Sequence, residues 1–243
     1  MLEPSARRAA LAALDVVEWV PRRGPEAAGG PGSSPVPDEA AGPAPGEFAV
    51  PAQVAAAAMD WDQLAAAVAA CTRCALAAGR TQAVFGVGRR DAAWMIVGEA
   101  PGQEEDRQGE PFVGRAGQLL NAMLEAVGLA REQVFIANIL KCRPPGNRDP
   151  EPAEAAACGD WLARQIELVG PRIILCVGRV AAQNLLGTQT PIGKLRGQRF
   201  SYGPRAIPVV VTWHPAYLLR SPAEKRRAWQ DLLFARQVFG QTA

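Results

Sequence analysis

An α/β fold, with a parallel sheet covered by helices on both faces, is what this sequence predicts, and three observations carry it. Four short segments are almost wholly apolar, as strands buried on both faces must be. Stretches of helical period lie between them, the alternation that builds a parallel sheet. The polar residues in need of a reason stand where the apolar segments end, and in such folds ligands bind beyond the carboxyl ends of the strands.

In chain order, residues 5–20 read as a short amphipathic helix, with Leu11, Leu14, Val17, Trp19 and Val20 at roughly helical spacing. The next stretch, residues 21–51, holds eight of the 21 prolines and almost no large apolar side chain, too little to offset its ordering entropy. The expected organisation is therefore a short N-terminal helix (1–20), a disordered Pro/Gly/Ala-rich linker (21–56) and an α/β domain (57–243). Residues 60–70 read as an Ala-rich helix ending at Cys71. AAWMIVG (92–98) is the first apolar strand and runs into the turn GEAPG. A helix over 114–127 shows Leu119, Leu120, Met123 and Leu124 on one face. QVFIANIL (133–140), RIILCVG (172–178) and AIPVVVTW (206–213) are the other strands. Helices over 151–169, 180–186 and 222–238 complete the alternation.

Composition narrows the function. Of 243 residues, 49% are apolar and 21% charged, ordinary for a chain that buries a core. A net charge of +2 excludes a grossly basic nucleic-acid binder but leaves room for a local basic stripe. No apolar run approaches the roughly 20 residues of a membrane span, and the start lacks a signal-peptide core, so a reducing cytoplasm is expected. Five cysteines there are poor disulfide candidates.

Cys71-Thr-Arg-Cys74 is a CxxC at a helix end, Cys142 follows the second strand in KCRPPGN, and Cys158 lies within the next helix. Cys176 is mid-strand among apolar residues and reads as a small buried hydrophobe. The other four fit a Zn Cys₄ site, a four-cysteine iron–sulfur cluster, or no site at all. Zinc ribbons usually pair two CxxC knuckles, whereas 15 residues separate Cys142 from Cys158, a spacing closer to those of clusters.

His214 is the only histidine and follows the fourth strand directly. Glu99 sits in GEAPG, whose glycines let backbone amides approach a ligand. That turn is not a phosphate loop, since GxxxxGK[ST] and GxGxxG are both absent. Phe112, between Pro111 and Gly114, is either a core plug or a stacking platform. Asn138 ends an apolar strand, where an amide needs a partner. Lys141, Arg143 and Arg148, then Lys194, Arg196 and Arg199, then Arg220, suggest a phosphate-binding rim, against the plain alternative of solvated surface charge.

Three blocks, GEAPGQEEDRQGEPFVGRAGQLL (98–120), NILKCRPPGNRDP (138–150) and HPAYLLR (214–220), resemble the signature blocks of family 4 uracil-DNA glycosylases. The resemblance runs from about Cys71 to Phe239 and leaves residues 1–60 outside it. It implies a three-layer α/β/α fold with a central four-stranded parallel sheet and a [4Fe–4S] cluster on Cys71, Cys74, Cys142 and Cys158. Tyr217 departs from it, standing where many relatives carry a small residue. With one histidine and no basic insertion, the chain does not match relatives that capture the uracil sugar covalently.

The implied activity is base excision from single- or double-stranded uracil-containing DNA by a monomer, with a protein partner conceivable for residues 1–20. Such an enzyme takes its base out of the stack. In that scheme Leu218 and Leu219 are the wedge, and Lys141, Arg143, Asn147, Arg148 and Arg220 hold DNA. Phe112 stacks on uracil, Asn138 reads its polar edge, and the Gly98, Ala100 and Gly102 turn supplies amides. Glu105 crowds uracil C5 against the thymine methyl, His214 donates to O2 as negative charge develops, and Glu99 orients or deprotonates water. Two rival classes are a catalytically silent nucleic-acid-binding protein of the same fold, which the intact Glu99, Phe112, Asn138 and His214 argue against, and an iron–sulfur electron-transfer module, which reversible reduction coupled to a partner would reveal.

Overall fold

The computed structural model describes residues 54–242, so the expected N-terminal helix and all but the end of the expected linker lie outside the described residues. The boundary drawn at residue 56 falls inside a short helix, α1 (Val54–Ala57), in which Ala56 is buried.

Helix α2 (Trp61–Ala69) starts at a capping box: the Asp60 side chain accepts the Gln63 amide, and the Gln63 side chain accepts the Asp60 amide. A four-residue helix, α3 (Leu76–Gly79), follows the CxxC segment. The sheet then builds from β1 (Val87–Gly88), β2 (Trp94–Gly98), β3 (Phe135–Asn138), β4 (Ile173–Val177), β5 (Arg199–Tyr202) and β6 (Ile207–Thr212). Its spatial order is β1-β3-β2-β4-β6-β5. The four expected strands, β2, β3, β4 and β6, are all parallel to one another and buried on both faces. Two short antiparallel edges, β1 on β3 and β5 on β6, extend the sheet from the expected four strands to six. The exposed arginine and alternating exposure of β5 suit an edge that must not recruit another chain.

Alternate strand residues feed two cores. Met95 and Val97 pack with Leu64 and Val68 of α2 and with Trp161, Leu162 and Ile166 of α6 (Pro152–Val169). Trp94 and Ile96 pack on the other face with Leu120, Met123 and Leu124 of α5 (Arg115–Ala126) and with Leu232 of α10 (Lys225–Gly240). Three layers result, as expected. Helices α7 (Arg179–Leu186) and α8 (Ile192–Leu195) complete the connection from β4 to β5. Two further short helices are α4 (Gln103–Gln108), which follows the segment read as a turn, and α9 (Pro215–Arg220), which occupies the strand-end motif. No helix among the described residues is long and apolar enough to cross a membrane.

Topology positions the site. The chain leaves β2 for β3 on one side, while β4 leads to β6 on the other, so a crevice opens beyond the carboxyl ends of β2 and β4. Gly98, Asn138, Gly178 and Trp213 mark the ends of the four parallel strands at that edge.

Candidate active site

A cleft of about 560 Å³ opens at these strand ends, lined by Glu99, Ala100, Gly102, Glu105, Phe112, Asn138, Asn147, Arg148, His214 and Arg220 among others. The structure thus brings together most of the residues singled out from sequence. Gly98 lies directly beneath: a Cβ there would stand 2.4 Å from Asn138 Oδ1 and 2.6 Å from Phe112 Cζ. Only glycine at the end of β2 lets that amide and that ring sit against the strand.

Asn138 is buried, and its Oδ1 has no hydrogen-bond partner. A buried acceptor left unpaired costs about 1–3 kcal/mol, which a ligand donor would recover. Phe112 is held in the left-handed region, φ 54°, where a bulky side chain is strained. Close packing enforces this. A Cβ on Gly117 would fall 1.8 Å from the Phe112 carbonyl oxygen, and Arg131 Nη2 donates to the Pro111 carbonyl at 2.6 Å. The Phe112 ring lies 5.6 Å from the His214 ring, tilted by 32°.

His214 is the N-cap of α9, and its Nδ1 accepts the Ala216 amide at 3.1 Å. Pro215 at the first helical position needs no such partner. Burial, with Arg220 nearby, pushes the imidazole down to about 4 against the opposing pull of Glu105. A neutral ring whose Nδ1 accepts carries its proton on Nε2, so the histidine offers a donor there. Behind it, Thr212 Oγ1 donates to Asp231 at 2.8 Å, and Arg196 grips the same carboxylate at 2.7 and 3.0 Å. Arg196 is thus an internal brace of β6 instead of a member of the basic rim, and exposed Lys194 and Arg199 do not line the cleft.

Burial raises Glu99 to about 7, with Asp149 adding to the rise and Arg179 opposing it. Asp149 and Arg179 form an ion pair and also line the cleft. Sequence reading missed both, as it missed Trp213. Their one signal was position: Arg179 follows the end of β4, and Trp213 the end of β6.

Several expected roles need correction. Leu218 is fully buried in the core under α9, because a helix rather than a loop carries it; Leu219 is exposed. Lys141 is buried too, its Nζ donating to the Asn138 carbonyl at 2.9 Å and to Gln165 Oε1 at 2.6 Å. It props the end of β3 from inside and is not on the DNA-facing rim. Glu105 lines the cleft with its carboxylate tied to the backbone: Oε2 accepts the Gly102 amide, and Oε1 accepts those of Val113 and Gly114. That latch also removes Gly102 as an amide donor to a ligand. Arg148 gives both terminal nitrogens to Glu154, at 2.8 and 2.6 Å, tying the loop to α6. Arg143 donates to Asn147 Oδ1 at 2.7 Å, with Asn147 itself at φ 55°. Arg220 is exposed at the cleft edge.

The four candidate ligand cysteines are all free thiols, Cys142 and Cys158 buried, Cys71 and Cys74 half-buried. They share one neighbourhood. Burial raises the Cys142 thiol, with Cys74 and Cys71 adding to the rise, and raises Cys158 to about 11, with Cys142 and Cys74 adding. Among the described residues no three His, Cys, Asp or Glu side chains stand close enough to hold one metal ion. Four thiols drawn from the CxxC segment, the loop after β3 and α6 are the donor set that a four-cysteine iron–sulfur cluster takes. Cys176 is buried in β4, away from this group in character, its thiol raised by burial alone.

A family profile described as "Uracil DNA glycosylase superfamily" matches residues 85–233. A type-4 uracil-DNA glycosylase of Archaeoglobus fulgidus is 45% identical over 168 residues, covering 66% of this chain and 84% of the relative. One of Thermotoga maritima is 46% identical over 160 residues, covering 65% and 82%. A type-5 uracil-DNA glycosylase of Pyrobaculum aerophilum is 31% identical over 149 residues, covering 54% and 64%.

Proposed function

Since the chain belongs to the uracil-DNA glycosylase superfamily, and within it to the type-4 enzymes, we propose the parts that its own side chains take in excising uracil from DNA by hydrolysis. The observation that carries the proposal is the convergence on one cleft of an unpaired Asn138 acceptor, the ring of Phe112 on a strained backbone, a neutral His214 and a high-pKa Glu99.

The flipped uracil stacks on Phe112 and gives its N3–H to Asn138 Oδ1. As the N–C1′ bond lengthens, charge builds on O2, and the Nε2–H of His214 stabilises it as an oxyanion donor does. A cationic imidazole would hand over its proton too early or repel the sugar cation; burial keeps the ring neutral. Glu99, as carboxylate, takes a proton from the attacking water on the sugar side. Leu219, exposed on α9, enters the stack, and Arg143, Asn147 and Arg220 meet phosphates around it.

We infer a [4Fe–4S] cluster on Cys71, Cys74, Cys142 and Cys158. When bound, it supplies a cross-link joining the CxxC segment, the loop after β3 and α6. Purified protein should be brown and contain iron. Cys142→Ala should lose colour and solubility, because ligand binding contributes to folding, while Cys176→Ala should stay brown. Stoichiometric zinc in a colourless, active protein would overturn the cluster.

Activity is tested with a single-uracil oligonucleotide followed by alkaline cleavage. Strand scission at the uracil position is expected, and an intact strand at enzyme excess would end the assignment. The same assay gives the pH dependence. Glu99 must be ionised to act, so single-turnover rates should fall about tenfold per unit as pH drops below about 7. His214, neutral down to about 4, adds no limb in that range. Glu99→Gln should be slow at every pH and show no acid limb; a limb that survives assigns it to another group.

A further inference from the structure

Arg80 stands between two of the segments that carry the candidate cluster cysteines. Its Nη1 donates to the Cys142 sulfur at 3.0 Å, and its Nη2 donates to the Ala69 carbonyl at 2.7 Å. Ala69 closes α2, two residues before Cys71, so one planar guanidinium spans from the start of the CxxC segment to the loop after β3. The backbone that carries it is fixed as well. The next residue, Thr81, gives its amide and its hydroxyl to the buried Asp106 carboxylate, at 2.9 and 2.7 Å. Arg80 itself is half-buried, and the cleft residues do not include it.

A donor to a ligand sulfur does two things. It orients the ligand, and it draws electron density from the sulfur, which favours the reduced state of an iron–sulfur centre. Only arginine can do this here while also holding Ala69, because its donors are arranged in a rigid fork. We propose that Arg80 is a positioning residue of the cluster site: it fixes the Cys142 sulfur against the end of α2, raises the reduction potential of the bound cluster and slows its loss. The proposal rests on the cluster reading above and adds to it a residue outside the ligand set.

The test uses full-length wild type, Arg80→Gln and Arg80→Lys, purified without oxygen and assayed for iron and sulfide. Protein-film voltammetry reads the potential, and visible absorbance in excess EDTA reads cluster loss. In Arg80→Gln the oxidised-to-reduced ratio at fixed potential should rise about tenfold, a shift of about 59 mV to lower potential for a one-electron couple. Bleaching should quicken by about 10–100-fold. Arg80→Lys keeps the positive charge but loses the fork, so its potential should fall less while its bleaching still quickens; it carries the test if Arg80→Gln fails to fold. Iron-loaded variants with wild-type potential and bleaching would overturn the role of Arg80 and leave the cluster intact. Wild type without iron or sulfide would overturn both.

Discussion

His214→Ala should slow single-turnover uracil excision by about 10²–10³, the usual effect of removing one oxyanion-type donor. The size follows from the state of the ring. Its Nδ1 is occupied by the Ala216 amide, so Nε2 holds the proton, and burial keeps the imidazole neutral down to about 4. The donor is therefore in place before any charge develops, and nothing must reorganise during bond cleavage. Binding of uracil-DNA should change far less than the rate, because the hydrogen bond strengthens only as O2 becomes anionic. A second effect must be separated. The same side chain caps α9, and losing a cap costs about 1 kcal/mol of stability. His214→Ser restores a good cap on a side chain too short to replace the donor. It should recover thermal stability and remain slow. Recovery of the rate in the serine variant would make His214 a cap and nothing more.

The parallel sheet was legible because its four strands are nearly continuous apolar runs of strand length, separated by segments of helical period. The edges were not. Two residues, Val87 and Gly88, carry no period, and Arg199–Tyr202 alternates around a charged, exposed residue that reads as loop. Helix α4 was hidden for a related reason: QEEDRQ has no apolar stripe, and what anchors it is Asp106, a buried carboxylate bound by Thr81. Helix α9 did carry a signal, Pro215 after a capping residue, which marks a first helical position as readily as it marks a break. Missing that turned Leu218 into a wedge. On a helix, adjacent leucines point in different directions, and here one enters the core while the other meets solvent.

The site divides along the same line. Glu99, Asn138 and His214 could be picked out because strand ends converge in any parallel sheet, whatever the side-chain packing. Charges could not be sorted that way. Lys141, Arg148 and Arg196 look alike in the sequence, yet each has an acceptor within the protein, Gln165, Glu154 and Asp231, and only Arg148 still lines the cleft. Those acceptors lie 24, 6 and 35 residues away, and no local pattern announces them.

Base choice should depend on Asn138, and Asn138→Asp should lower uracil excision by about 10²–10⁴. Uracil offers an N3–H donor and an O4 acceptor; cytosine offers an acceptor at N3 and donors at N4. The Asn138 Oδ1 lies against the end of β2, where a Cβ on Gly98 would stand at 2.4 Å, and Lys141 holds the backbone carbonyl of the same residue at 2.9 Å. In that orientation the unpaired Oδ1 meets N3–H of uracil and faces the N3 lone pair of cytosine. Each of the two mismatches with cytosine costs about 1–3 kcal/mol, and every 1.4 kcal/mol is tenfold, so together they reject cytosine by about 30-fold to 10⁴-fold. Aspartate removes the donor to O4 and leaves an acceptor that suits cytosine N4–H. Slow release of cytosine from a mispaired site should therefore accompany the loss of uracil release. Single-turnover release of both bases by wild type and Asn138→Asp decides this, with Phe112→Ala as the control that weakens stacking for either base alike. If Asn138→Asp excises uracil at the wild-type rate, the Asn138 amide nitrogen does not read O4, and selectivity lies with backbone groups of the turn at 98–102.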